Sequence, residues 1–266
     1  ISAATISDNW SEWSQKGIKV VDLSGDLRLK NLESHKKYYS GVADYPELRE
    51  VAVLGLTDIY PKRSAAAKII SNPGCLSTAS ILSSAPLVAA GLVQSLAIDA
   101  KTGSAGAGKT PSAVTHHGNR SANLEAYKIL SHRHEPEIIE GLRMVYDEEV
   151  STMFVPHLLP AVRGIFVTTF CTLNEEIGME KAQEIFSNFY RHSPFVRARA
   201  GSPRMQDVLG TNFFDYSVTV RGRSCVVCGT IDNFGKGMVG QALQNINLMC
   251  GFDQRLGLMF PSLGPI

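Results

Sequence analysis

The sequence predicts an α/β chain whose first part belongs to a doubly wound parallel sheet and whose second part is α+β. Three observations carry that prediction. Short apolar runs alternate with helical patterns through the first quarter of the chain. Longer β-rich segments take over from Gln94, and a helical pattern closes the chain after Lys236.

Each element has its own signal. Ser7-Asp8 precede a helical pattern with Trp10 and Trp13, which Gly17 can stop as a C-terminal cap. Residues 18–23 read as a buried strand ending in the turn Ser24-Gly25-Asp26. Residues 67–70 read as a second strand, followed by Ser71-Asn72-Pro73-Gly74. Beyond Cys75, Leu76-Ser77-Thr78-Ala79 opens a helix of about four turns, with Gly91 near its end. Residues 162–173 and 214–231 are long strand patterns, the latter a hairpin turning at Arg221-Gly222. Residues 178–190 read as a helix between them. The last helix covers 237–250, with Val239, Leu243, Ile246 and Met249 at helical spacing.

Composition narrows the function. Lys+Arg 26 against Asp+Glu 25 leaves a formal charge of +1, which excludes an electrostatic nucleic-acid binder. Apolar residues at 44% with 19% charged residues describe a globular sequence. The most apolar stretch, 79–93, is broken by Ser80, Ser83, Ser84 and Pro86 and is too short to cross a bilayer. Five cysteines without framework spacing point to a reducing compartment, the cytoplasm. A small molecule is the expected partner.

Cys75 is the sharpest single feature. A thiol at a helix N-terminus sits in the positive end of the peptide dipole, which favours thiolate, the nucleophile that attacks an activated acyl group. Pro73 and Gly74 build a turn that presents that one side chain. The alternative is a small buried hydrophobe, and Cys171 and Cys250 are read that way. Cys225 and Cys228 form a C-x-x-C, but within a strand they face opposite ways, and nothing nearby completes a metal site.

His132-Arg133-His134-Glu135-Pro136-Glu137 marks a helix start through its proline and two early glutamates. A histidine there can serve a reactive cysteine as general acid/base, or be solvated. His116-His117 lies in a loop and is open to either reading. Gly103 to Thr110 formally matches G-x-x-x-x-G-K-[ST], yet no helical stripe follows, and a phosphate loop needs a helix there. Arg28, just beyond the first strand's turn, is the better anion ligand.

Four motifs in one order resemble N-acetyl-gamma-glutamyl-phosphate reductase, of the semialdehyde dehydrogenase superfamily. They are VDLSGDLR at 21–28, SNPGC at 71–75, HRHEPEI at 132–138 and DNFGKG at 232–237 with Gly240-Gln241-Ala242. The resemblance implies a partial Rossmann-like parallel sheet with an inserted α+β catalytic and dimerisation domain. Its divisions are 1–74 for the dinucleotide-binding part, 75–235 for the catalytic part and 236–266 for the closing helix and tail.

It further implies that Cys75 attacks an acyl phosphate, that NADPH reduces the resulting thioester, and that His134, with His132 second, is the acid/base. Arg28, Asn72 and Gly103 would then meet substrate. Ser24, Gly25, Ser104, Ala105, Asn233, Lys236 and Gly237 would meet the cofactor. No metal is implied, and the assembly would be a homodimer or homotetramer. The related N-acetyl-aminoadipyl-phosphate reductases share most of this pattern. A cysteine hydrolase or acyltransferase, and a non-catalytic interaction domain, are the competing classes. The sequence opens on Ile1 and lacks the family's glycine-rich dinucleotide turn, so on its own it is expected not to bind NADPH normally. Leu76-Ser77 also replaces the commoner Tyr-Pro after the cysteine.

Overall fold

The computed structural model describes residues 3–39, 45–108, 110 and 112–264. Helix α1 (Ala3–Gln15) leads to strand β1 (Val20–Asp22), and between them Gly17 takes φ +68°, a left-handed turn that ends a helix. Next come α2 (Leu32–Tyr38), α3 (Pro46–Val51), β2 (Val53–Leu54), α4 (Pro61–Ala66) and β3 (Ile69–Ser71). Strand β3 lies between β1 and β2 and pairs in parallel with both, giving the order β1-β3-β2. This is the parallel sheet that the alternation predicts. Helices α2 to α4 are additional to the elements that the sequence pattern predicts, although their signals are present. Asn31 Oδ1 caps α2 by accepting from Ser34 N at 2.9 Å, and prolines occupy the first turns of α3 and α4.

The second part runs α5 (Cys75–Ala89), β4 (Val93–Thr102), α6 (His117–Arg120), β5 (Glu125–Ala126), α7 (His134–Arg143), β6 (Ser151–Leu158), β7 (Ile165–Leu173), α8 (Met179–Phe189), β8 (Val196–Ala198), β9 (Phe214–Arg221) and β10 (Ser224–Ile231). Its strands form one seven-stranded sheet in the order β5-β6-β4-β7-β10-β9-β8. The β9–β10 hairpin turns where expected, through Gly222 at φ +58°. Strand β7 starts later than the apolar run because Gly164, at φ +107°, still turns the chain.

Helix α5 is buried on every side from Leu76 to Val88, as an all-round apolar helix must be. Its serines are tolerated because Ser83 and Ser84 Oγ return to the Ser80 carbonyl at 2.8 and 2.7 Å. Leu82, Ile98, Phe154, Val167, Phe186 and Phe214 complete the core between α5 and the sheet. Each such burial contributes about 1.5–3 kcal/mol before entropy is counted.

The closing helix differs from its sequence pattern. A π turn (Gly235–Val239) comes first, so α9 spans Gly240–Met249. Val239 and Ile246 face solvent at 53% and 42% exposure, while Gln241, Gln244, Asn245 and Asn247 are buried. The amides go inside because each has a partner there. Gln241 Nε2 donates to Thr57 Oγ1 at 2.7 Å, and Asn245 Nδ2 donates to the Gly55 carbonyl at 3.0 Å. Cys250, expected in the core, lies just past the end of α9 and is exposed. Among the described residues, no helix is long and apolar enough to cross a membrane.

Candidate active site

Cys75 is the first residue of α5, reached from β3 through the turn that ends in Pro73-Gly74. It opens on a cleft of about 240 Å³ whose walls include Arg28, Ala105, Arg133, His134, Asn233 and Gly237. Two glycines make that cleft possible. A Cβ on Gly74 would lie 2.1 Å from His134 Nε2, so the imidazole packs directly over the residue before the cysteine. A Cβ on Gly237 would lie 2.7 Å from Cys75 Cβ, so the π turn can press against the thiol only at a glycine.

Cys75 is half-buried. Burial pushes its pKa up, against the pull of the Arg28 charge and the Leu76 N–H. The helix start therefore does not ionise the thiol by itself, contrary to the dipole argument. Burial likewise lowers His134 to about 3, with Glu137 opposing, and His132 to about 4. The resting pair is thus thiol and neutral imidazole.

Those depressed histidines make stability pH-dependent. Unfolded imidazole titrates near 6.5, so between about 6.5 and 3 the unfolded state binds more protons than the folded one. Stability is therefore fully present above about pH 6.5 and falls as pH drops. The thermal midpoint is expected to decline steadily from pH 7 to 4, with a shallower slope in His134→Asn, measured by circular dichroism.

His134 lines the cleft, whereas His132 stands behind it. His132 Nδ1 accepts from His134 N at 3.1 Å, and its ring meets His134 edge-on at 4.7 Å and Tyr127 at 5.4 Å. Glu137 is the residue that sequence reasoning missed. Lying one helical turn beyond His134, it stands in the sequence only as a mark of the helix start. Its Oε2 accepts from Gly74 N at 2.9 Å and Ser77 Oγ at 2.8 Å, while its Oε1 accepts from the Tyr39 hydroxyl and meets Arg28 Nη1 at 3.4 Å. Burial would raise this carboxyl, but Arg28, His134, Tyr39 and the Gly74 N–H outweigh it and hold it at about 2. The H-x-x-E spacing was the available signal, since positions i and i+3 share a helix face.

Arg28 donates from Nε to the Asn72 carbonyl at 3.0 Å and from Nη2 to the Leu23 carbonyl at 3.1 Å. This fixes its charge at the cleft wall beside Cys75. Asn72 itself is buried, with Nδ2 on the Met238 carbonyl at 3.2 Å and Oδ1 accepting from Asn245. Gly103 backs onto Val162 and Arg163, where a Cβ would meet backbone at 2.6 Å. Ser24 Oγ turns to Asp22 at 2.9 Å, and Gly25 lies under the Tyr39 ring. Ser104 N donates to the Ala161 carbonyl at 2.9 Å. Asn233 Nδ2 donates to Thr102 Oγ1 at 3.0 Å. Lys236 is fully buried, paired with Asp58 and donating to Gln244 Oε1 at 2.6 Å.

The apparent phosphate loop is one 3-10 turn (Ser104–Ala107), and the next helix is the four-residue α6. Lys109 of that motif lies outside the described residues. One wall of the cleft is built from Ala105, Gly106, Gly108 and Gly237, and a Cβ on Gly106 would already stand 3.3 Å from Asn233 Nδ2. Such a wall fits a flat ring against the thiol.

Residues 75–233 match the semialdehyde dehydrogenase dimerisation-domain family. A Methanococcus maripaludis (strain C6) N-acetyl-gamma-glutamyl-phosphate reductase is 41% identical over 256 residues, covering 94% of this chain and 74% of the relative. The chain belongs to this reductase family. The Brevibacillus brevis member is 40% identical over 250 residues, with 92% and 72% covered. The aspartate semialdehyde dehydrogenase II of Vibrio cholerae superposes with a TM-score of 0.66 at 13% identity, over 93% of this chain and 77% of that one. That likeness shows a shared fold, a Rossmann-like part joined to a dimerisation domain. The family is one of enzymes that use a nicotinamide cofactor.

Proposed function

We propose that the intact protein reduces N-acetyl-gamma-glutamyl phosphate to N-acetylglutamate semialdehyde and phosphate with NADPH, a step of arginine biosynthesis. The observation that carries the proposal is the meeting of Cys75, His134 and Arg28 at one cleft. The names of the relatives, at about 40% identity over most of the chain, support the substrate.

In this reading Arg28 holds the anionic phosphate, with Arg133 at the same wall. As Sγ attacks the acyl carbon, His134 takes the thiol proton. The acyl–oxygen bond breaks, phosphate leaves, and a thioester remains on Cys75. The nicotinamide, when bound, supplies the reducing equivalent. His134 then returns its proton as the hemithioacetal collapses to aldehyde and free thiol. Ser104, Ala105 and Asn233 are the residues proposed to meet the cofactor, and Asn72 and Gly103 shape the substrate side from behind. Lys236 contributes at one remove, by anchoring the turn that carries Gly237.

Five unpaired cysteines fit a reducing cytoplasm, and the matched dimerisation domain fits a dimer or tetramer. The test is a kinetic comparison in the oxidative direction. N-acetylglutamate semialdehyde with NADP and phosphate is expected to exceed the six-carbon aminoadipyl homologue in kcat/KM by about 10-fold or more, the discrimination one methylene allows. Arsenate should replace phosphate. Equal or inverted preference would move the chain to the six-carbon substrate, and turnover without nicotinamide would point to a hydrolase.

A further inference from the structure

Arg28 borders two hollows, the cleft at Cys75 and a second cavity of about 670 Å³ walled by residues of α3, β2 and α7. The second is the larger, and it falls within the range of about 300–1,000 Å³ that small-molecule sites occupy. Leu27, Val53, Leu54 and Met144 give it an apolar wall. Ser71 and Glu137, both buried, form its floor.

The polar groups around this cavity are unequally engaged. Glu137 already serves the donors of the cleft, and Glu140 accepts from Lys30 N at 2.9 Å and Asn31 N at 3.1 Å. Lys30 Nζ donates to the Glu50 carbonyl at 2.7 Å, in the field of the Glu50 carboxylate. Arg143 Nη2 donates to Glu149 Oε2 at 2.6 Å. Two groups stand apart. Among the described residues, the Arg63 guanidinium meets the Tyr60 ring at 5.6 Å and no carboxylate. The Ser71 hydroxyl is buried without a hydrogen-bond partner, which buried polar groups ordinarily find. An uncompensated cation, an orphaned hydroxyl and an apolar wall together describe a ligand with one negative charge, an apolar body and a polar atom for the serine.

We propose that this cavity binds a small organic acid, with its carboxylate on Arg63, its apolar body along Leu54 and Met144 and a hydroxyl on Ser71, and that occupancy is transmitted to Cys75 through Arg28 and Glu137. The two hollows share those residues. Arg28 borders both, and Glu137 Oε2 accepts from Gly74 N, next to Cys75. A bound carboxylate adds negative field around a guanidinium that already faces Glu137. Less positive charge is then offered to the thiol and to phosphate in the cleft, so the ligand opposes both. By linkage, phosphate opposes the ligand to the same extent. The turnover arm of this proposal rests on the reductase reading, and the binding and alkylation arms do not.

The test uses the intact protein with para-hydroxyphenylpropionate as the probe, and titration calorimetry to follow its binding. Removing the probe's charge (para-hydroxyphenylpropanol) or its hydroxyl (phenylpropionate) should each weaken binding about 10-fold, the scale of one charged or buried hydrogen bond. Arg63→Gln should erase the first difference and Ser71→Ala the second. Val51→Trp, at a half-exposed position on the cavity wall, should fill the space and abolish binding, with circular dichroism confirming the fold of each variant. Saturating probe should slow Cys75 alkylation by iodoacetamide and raise the KM for phosphate, each about 5-fold or more, in the wild type and not in Val51→Trp. No measurable binding, or binding undiminished in Val51→Trp or Arg63→Gln, would overturn the site. Binding at the site with native alkylation would overturn the coupling. Probe-sensitive alkylation in a protein that turns over no semialdehyde would instead refute the reductase reading.

Discussion

Cys75→Ser is expected to abolish phosphate-dependent semialdehyde oxidation, lowering kcat by at least about 10⁴-fold while the fold survives. The hydroxyl is the same shape and sits at the same helix start, but its proton is far harder to remove. In the wild-type cleft, burial already pushes the thiol pKa upward, and only Arg28 and the Leu76 N–H pull it back. An alcohol is far less acidic than the thiol, and His134, made a weak base by burial, is poorly matched to take its proton. The measurement is stopped-flow reduction of NADP, accompanied by thermal unfolding. A variant that keeps a tenth of the wild-type rate would show that the acyl group never rests on this residue.

Glu137→Ala is expected to have the largest effect on stability, about 3–5 kcal/mol. The carboxylate is buried and satisfies four donors at once: Gly74 N, Ser77 Oγ, the Tyr39 hydroxyl and Arg28. Its removal strands a buried guanidinium and an amide at the start of α5. Urea unfolding measures that loss. Glu137→Gln separates structure from charge, because the amide preserves much of the packing while removing the negative field. Glu137 raises the Cys75 thiol pKa and also raises that of His134. In Glu137→Gln the alkylation profile of Cys75 should therefore shift to lower pH while turnover falls, because the imidazole becomes a weaker base. A profile that stays in place would mean that Glu137 acts only as a strut.

The fold was legible wherever local chemistry and tertiary packing agree. Gly17, Gly91 and Gly222 each take the positive φ that their places at element ends require. Residues 178–190 and 214–231 gave a helix and a hairpin close to those observed. Legibility failed where partners come from distant segments. Nothing near Gln241 or Asn245 announces Thr57 or Gly55, so the amide-lined face of α9 could not be read from a hydropathy stripe. The same holds in the cleft. Cys75 and His134 stand out by type and position, but the status of Glu137 depends on Arg28 and Tyr39, about a hundred residues upstream. Burial, which decides the charge state of all these groups, is a property of the whole chain and not of any motif.

The Lys236–Asp58 pair has a mechanical consequence. It ties the turn bearing Gly237 to the stretch just before α4, and both charges are sealed from water. Sliding that turn away from the sulfur would strand an ammonium in an apolar interior, which proteins resist strongly. The neighbouring stretch of the same wall, Ala105 to Gly108, is held by main-chain bonds such as Ala105 N to the Val162 carbonyl at 2.9 Å, so the Gly237 turn is its charge-anchored part. The sulfur thus works against an anvil, a turn whose buried ion pair keeps it from receding.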